Sequence, residues 1–145
     1  MKADSILSAL ITQLKNNSNI SYVSDGAILL GVRKGITVYP TIIIEPESIS
    51  ELSFAYPMQR LVMKVAIIGY IHVLNTEKQI VGDTTTKGIL NFENDVKLAL
   101  DADRTIAGNA NHLDIVDTSY DFVDFPYRSF TMNVEILFEQ VKNTR

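Results

Sequence analysis

The longest apolar run of the chain, QRLVMKVAIIGYIHV at residues 59–73, places the strongest constraint on its fold. Around Val65 to Ile68, apolar side chains occupy both alternating sets of positions, so a strand here buries both of its faces. The run is shorter than the roughly 18 to 20 unbroken apolar residues of a membrane-spanning helix. We therefore place residues 59–73 in the centre of a β-sheet.

Strand character also dominates the first half of the chain before this run. Residues 22–33 hold a turn signal at Asp25-Gly26 followed by the apolar stretch AILLGV. Residues 36–46 are rich in β-branched side chains. Pro40 cannot donate a ladder hydrogen bond, which predicts an edge strand or a bulge at that point.

Two more strands are predicted at the C-terminal end, residues 112–125 and 127–141, separated at Pro126. In the second, apolar and polar residues alternate, as is typical of a half-buried antiparallel strand. The apolar positions of that strand are Phe130, Met132, Val134, Ile136 and Phe138. The phenylalanines of both strands are expected in the core, namely Phe122, Phe125, Phe130 and Phe138.

Helical spacing appears in two segments. Residues 4–16 follow a cap at Asp4 or Ser5 and carry one apolar stripe, made of Ile6, Leu7, Leu10, Ile11 and Leu14. Residues 84–104 follow possible caps in TTT and carry a second stripe, made of Ile89, Phe92, Val96 and Leu100. The order of elements predicts one α+β domain over residues 1–145, a mostly antiparallel sheet of four to five strands with two helices packed on it.

Composition excludes several classes of function. The net charge is −4 and Lys and Arg form no cluster, which disfavours binding to a nucleic-acid backbone. The chain has no cysteine, so disulfides, thiolate zinc sites and cysteine nucleophiles are absent. The N-terminal MKADSILSALITQLK lacks the continuous apolar run of a secretory signal, and we expect a soluble, intracellular protein without membrane contact.

The stretch ALDADRTIAGNANH at 99–112 concentrates the polar side chains that resemble a reaction centre. Asp101 and Asp103 fit the start of a calcium loop, but His112 stands where a bidentate Glu is needed. Zinc prefers two or three His or Cys ligands, and His72 and His112 are the only histidines of the chain. These positions therefore predict no metal site.

Acid/base catalysis has equally weak support. The pairs Asp101/Asp103 and Asp121/Asp124 could in principle flank a scissile bond, but 17 acidic residues make close pairs by chance. No nucleophile elbow, zinc-protease motif or phosphate-binding glycine loop accompanies them. We predict no catalytic residue and no cofactor, and interpret 99–112 as a joint in which Ile106 packs under the sheet.

The segment EPESISELSFAYPM at 45–58 is predicted to be a long irregular loop between two strands. It places Phe54 and Tyr56 beside several glutamates, and aromatic side chains on a loop favour a protein contact. The candidate interface residues of the chain are Pro40, Glu47, Glu51, Phe54, Tyr56 and Arg60.

The element order resembles that of the tail-terminator (tail-completion, minor tail) proteins of long-tailed bacteriophages. The segment ALDADRTIAGNANHLDIVDTSYDF is similar to that family's helix end of small and acidic residues before a strand, and YRSFTMNVEILFEQ to its last strand. Ala107 stands before Gly108 where many members have glycine. The resemblance covers nearly the whole chain.

The resemblance implies a structural virion protein without enzymatic activity. Its subunits would form a hexameric ring that caps the tail tube, ends tail polymerisation and presents a docking surface to head and neck proteins, with DNA only passing through the lumen. Such a protein would lie at the head-proximal end of the tail, after assembly in the host cytoplasm. The alternatives are another head–tail joining protein, or a small α+β hydrolase or ligand-binding domain.

Overall fold

The central element of the fold is a sheet in which β3 has neighbours on both sides. The structure, a computed structural model, describes residues 2–32 and 35–141, without the side chains of residues 122–124. Its helices are α1 (Lys2–Lys15), α2 (Thr76–Ile80) and α3 (Ile89–Asp101), and its strands are β1 (Ile28–Leu30), β2 (Thr41–Ala55), β3 (Met58–His72), β4 (His112–Asp124) and β5 (Tyr127–Val141). The strand order is β1-β2-β3-β5-β4. The predicted central position of residues 59–73 is confirmed.

Pairing in the sheet is antiparallel except between β1 and β2, which run parallel. α1 and α3 contribute their apolar stripes to one continuous core with the sheet, and Ile6, Leu10, Phe92 and Val96 are fully buried there. Every second residue of β5 from Phe130 to Phe138 is buried in the same core, as its alternation predicts. The α+β architecture predicted from the sequence is therefore confirmed.

The segment 45–58 was wrongly predicted to be a loop. β2 continues to Ala55, only Tyr56 and Pro57 form the turn, and β3 begins at Met58. The residues of β2 after Glu45 are all exposed on both faces, so no alternation of apolar and polar side chains marks them as a strand. The ladder of hydrogen bonds to β3 holds this half of β2 extended.

The predicted helix 84–104 also differs from the structure, because its first residues belong to a turn. The Asp83 carboxylate accepts hydrogen bonds from the backbone N–H of Thr85 at 2.9 Å and of Thr86 at 2.7 Å. Its ion pair with Lys78 and these bonds hold the pKa of Asp83 below its usual range. Thr85 and Thr86 therefore belong to this turn and do not cap a helix. α3 begins after Gly88.

One of the four phenylalanines expected in the core is not there. Phe130 and Phe138 are buried, whereas Phe125 is 53% exposed. Phe125 precedes Pro126 in the turn between β4 and β5, where the chain leaves the sheet. The side chain of Phe122 lies outside the described part of the chain.

The segment after α3 is a joint between helix and strand, as the sequence predicts. Gln13 of α1 donates to the Ala99 and Asp103 carbonyl oxygens at the end of α3, at 3.1 and 3.0 Å. Ile106 is fully buried and has φ of 53°, and Ala107 follows with φ of 56°. Two consecutive non-glycine residues in the left-handed region store backbone strain.

Replacing Ala107 by glycine is expected to stabilise the protein by about 1 kcal/mol, because glycine adopts φ near 56° without the Cβ clash. The free energy of unfolding from urea titration measures the change. The matched control is Ala102→Gly, at a helical φ of −59°, which should destabilise by about 1 kcal/mol. Destabilisation by both substitutions would show that the strain at Ala107 is negligible.

Candidate protein interface

The second half of β2, the turn after it and the first three residues of β3 form the end of a hairpin, residues 46–60, which we call the arm. Five of the six candidate interface residues lie on it: Glu47, Glu51, Phe54, Tyr56 and Arg60. Pro40 directly precedes β2, at the end of the strand that lies about 45 Å from the turn at Tyr56, at roughly 3.3 Å per strand residue. The structure therefore brings together five of the predicted residues and separates the sixth from them.

The tip of the arm exposes large apolar side chains. Tyr56 is 67% exposed, and its ring meets that of Phe54 edge-on with centroids 6.2 Å apart. Neighbouring exposed apolar residues are Ile49, Leu52, Met58 and, on β5, Val141. The sequence does not reveal these four residues, because only the pairing of β3 with β5 places Met58 and Val141 next to each other. By the strand register Phe54 lies opposite Gln59, whereas Met58 lies opposite Ala55 and Val141, so the tip exposes apolar side chains on both faces of the sheet. A group of exposed apolar side chains of this kind is typical of a protein interface.

Polar contacts hold the arm in register behind its tip. The Gln59 side-chain amide donates to the Glu51 carboxylate at 2.6 Å, and the Gln140 amide donates to the Gln59 carbonyl oxygen at 3.1 Å. The pairing with β3 shifts register at Glu47 and at Leu52, which are bulged residues of β2. The arm is therefore a bent strand pair continuous with the sheet, supported by β5.

Pro40 borders a cavity of about 330 Å³ at the opposite end of the sheet, which we call the base cavity. Its walls come from the turn before β2, the end of β3 and the segment before α3. The lining residues are Tyr22, Tyr39, Pro40, His72, Val73, Thr85, Thr86 and Lys87. Three aromatic side chains and Pro40 make the lining mostly apolar, with the Lys87 ammonium as its cation.

Tyr39 and His72 form one wall of the base cavity, and the Tyr127 ring packs against both of them. His72 stacks against Tyr127 and Tyr39 with centroid distances of 5.0 and 5.9 Å, and Tyr39 and Tyr127 are 5.5 Å apart. Burial raises the pKa of Tyr39, and the nearby Tyr127 and Tyr70 hydroxyls add to the shift. Tyr39 therefore stays neutral and donates its hydroxyl hydrogen to the Ile36 carbonyl oxygen at 3.1 Å.

A charged group supports the opposite wall. The Tyr22 hydroxyl donates to the Asp95 carboxylate at 2.7 Å, and Lys87 Nζ lies 3.2 Å from the same carboxylate and 5.1 Å from the centre of the Tyr22 ring. Burial raises the pKa of Tyr22 strongly, and the hydrogen bond to Asp95 adds to it. Asp95 thus fixes both the tyrosine and the lysine at the cavity.

The acidic residues considered as catalytic or metal-binding have structural partners. Asp101 pairs with Arg104 at 2.6 Å. Asp103 accepts from the Thr105 hydroxyl and the backbone N–H groups of Thr105 and Ala107, and these bonds lower the pKa of Asp103. His112 contacts Asp114 at 2.9 Å. Among the residues that the structure describes, no group of three or more His, Cys, Asp or Glu could hold a metal ion.

The comparisons with known proteins give a fold and no family. No family model matches the chain, and no curated protein matches it. Among solved structures, a chain of the "Virion of native gene transfer agent (GTA) particle" shares the fold, with a TM-score of 0.60 and 12% sequence identity. The likeness covers 92% of this chain and 93% of that one. In the described residues, no helix is long and apolar enough to cross a membrane.

Proposed function

We propose that the protein is a structural component of a phage-like virion, and specifically a tail terminator. Its subunits form a ring, of six copies, that caps the tail tube, ends tail polymerisation and gives head and neck proteins a docking surface. The fold likeness to a chain of the gene transfer agent virion supports the virion part of the proposal over 92% of the sequence. The sequence resemblance to tail terminators supports the specific role.

The observation that carries the proposal is the arm. Ten consecutive residues of β2 are exposed on both faces, and the tip presents Leu52, Phe54 and Tyr56 to solvent. A ring is built from heterologous contacts, in which one surface of each subunit meets a different surface of the next. A protruding apolar arm supplies one of the two surfaces without using the core.

The charge of the chain suits a ring through which DNA passes. A net charge of −4 gives about −24 for six copies, and an acidic lumen repels the phosphate backbone. The protein would act by assembly and contact alone, without a reaction centre or a cofactor. Its place would be the head-proximal end of the tail, reached after assembly in the host cytoplasm.

Native mass spectrometry tests the proposal directly. We expect a species of six copies, either from the protein alone or after addition of the tail-tube protein encoded in the same genome, and arrest of tube growth at substoichiometric amounts. A ring that joins to tubes without stopping their growth would indicate a neck-joining protein instead. A monomer that does not bind the tube protein would contradict the virion proposal and favour a small hydrolase or ligand-binding domain.

A further inference from the structure

We infer that the arm tip of one copy docks in the base cavity of the next copy, with the Phe54 and Tyr56 rings against its aromatic wall. This inference rests on the proposed ring and names the contact that closes it. It joins two features that nothing else in the described part of the molecule explains. One is an exposed aromatic tip, and the other is an exposed aromatic cavity.

The geometry forces this contact to be between copies. The tip is at the Tyr56-Pro57 turn, and the cavity is at the ends of β2 and β3 that carry Pro40 and His72. These ends are about 45 Å apart along a 15-residue strand, so the tip cannot reach the cavity of its own chain. Contacts from one end to the other are heterologous, and they close into a ring when the rotation between copies permits.

The two surfaces match in size and chemistry. A cavity of about 330 Å³ is at the lower end of the range of about 300–1,000 Å³ for small-molecule sites and has room for an aromatic side chain. Its rings offer edge-to-face contacts, which contribute about 0.5–1.5 kcal/mol each beyond area burial. Leu74, which follows the lining residue Val73, is 74% exposed and extends the apolar surface at that end of the sheet.

The charges of the two surfaces permit this contact. Between residues 45 and 60 the chain has three glutamates and one arginine, namely Glu45, Glu47, Glu51 and Arg60. The lining of the base cavity contains the Lys87 ammonium and no carboxylate, and the Asp95 carboxylate pairs with Lys87 from behind the lining at 3.2 Å. The acidic arm therefore meets no carboxylate in the cavity lining, whereas a contact between two arms would place like charges together.

The competing contact is pairing of the β2 edge with the β4 edge of another copy. The acidic side chains of the two strands oppose this pairing. β4 carries Asp114, Asp117 and Asp121 along its length, facing the glutamates that the arm would bring. Like charges placed opposite each other across strands are destabilising. The base cavity offers the arm a surface without this repulsion.

Cysteine cross-linking tests the contact, because the chain has no cysteine of its own. The variant Ala55→Cys/Thr86→Cys places one thiol beside the tip and one in the cavity lining, and leaves all the aromatic residues in place. We expect mild oxidation with diamide to join its copies into covalent multimers up to the size of the ring. The matched control is Ala55→Cys/Ser119→Cys, whose second thiol lies on the exposed β4 edge.

The outcomes separate the inference from the proposed function. Rings in native mass spectra together with cross-links only in the 55/86 pair support the contact. Rings with cross-links only in the Ala55→Cys/Ser119→Cys variant, or in neither variant, overturn the contact but agree with the proposed ring. Dimers from Ala55→Cys alone indicate tip-to-tip association and overturn it as well. A monomer under all conditions overturns both the contact and the proposed function.

Discussion

Substitution of Gly69 by alanine is expected to destabilise the protein by about 3 kcal/mol, and to lower its Tm by roughly 10 °C. Gly69 lies in β3 opposite Phe130 of β5, on the sheet face that carries α3. A Cβ there would overlap the Phe130 ring and lie 2.8 Å from Phe92 Cε2. Both rings are fully buried and meet edge-on at 5.4 Å, so neither can move aside cheaply. Differential scanning calorimetry and urea titration measure the loss.

The matched control for this substitution is Gly26→Ala, at a position where an added Cβ meets nothing within 4 Å. It should change the free energy of unfolding by less than about 0.5 kcal/mol. Combining Gly69→Ala with Phe130→Leu should recover part of the loss, because the smaller side chain vacates the overlapping space. Equal stability of Gly69→Ala and the wild type would mean that Phe92 and Phe130 do not pack against β3 at Gly69.

The second large effect is expected at the arm. The double substitution Leu52→Ser/Tyr56→Ser should weaken assembly roughly 100-fold, since aromatic anchors at interfaces contribute about 2–4 kcal/mol each when truncated. The fold should be unaffected, because these side chains are 56% and 67% exposed. Unfolding free energies within about 0.5 kcal/mol of the wild type would confirm that point. Sedimentation velocity over a concentration series measures the association.

The matched control is Val116→Ser/Tyr120→Ser, which removes one aliphatic and one aromatic side chain of similar exposure from β4. Its assembly should equal that of the wild type. Weaker assembly in both doubles would place β4 in the interface and contradict the special role of the arm. Loss of stability in the arm variant would mean that its tip packs on the subunit itself.

The parts of the fold that the sequence predicted are those in which burial leaves a periodic pattern. β3 is buried at both alternating sets of positions around residues 61–67 and is apolar at both, and β5 alternates because one of its faces meets the helices. α1 and α3 have apolar stripes for the same reason. Where a strand buries nothing, as in the second half of β2, the pattern disappears and the sequence predicts a loop.

Only some of the exposed side chains at the arm tip stand out in the sequence, for a similar reason. Phe54 and Tyr56 are recognisable because aromatic side chains among glutamates are unusual wherever they stand. The aromatic wall of the base cavity is not recognisable, because Tyr39, His72 and Tyr127 come from three distant segments and meet only through the pairing of β3 with β5 and the turn before β2. Pro40 stands out in the sequence because it lacks a backbone N–H donor. The cavity beside it leaves no signal in the sequence.

The bulges of β2 have a consequence for solubility. Beyond Ile44, no described strand pairs with the outer edge of β2, and an open edge of this length invites further chains to add as strands. Pro46 lacks a donor, and the bulges at Glu47 and Leu52 break the even spacing that a new strand needs. In the proposed ring a partner would therefore engage the arm through its side chains, and the uncontrolled addition of strands along this edge is avoided.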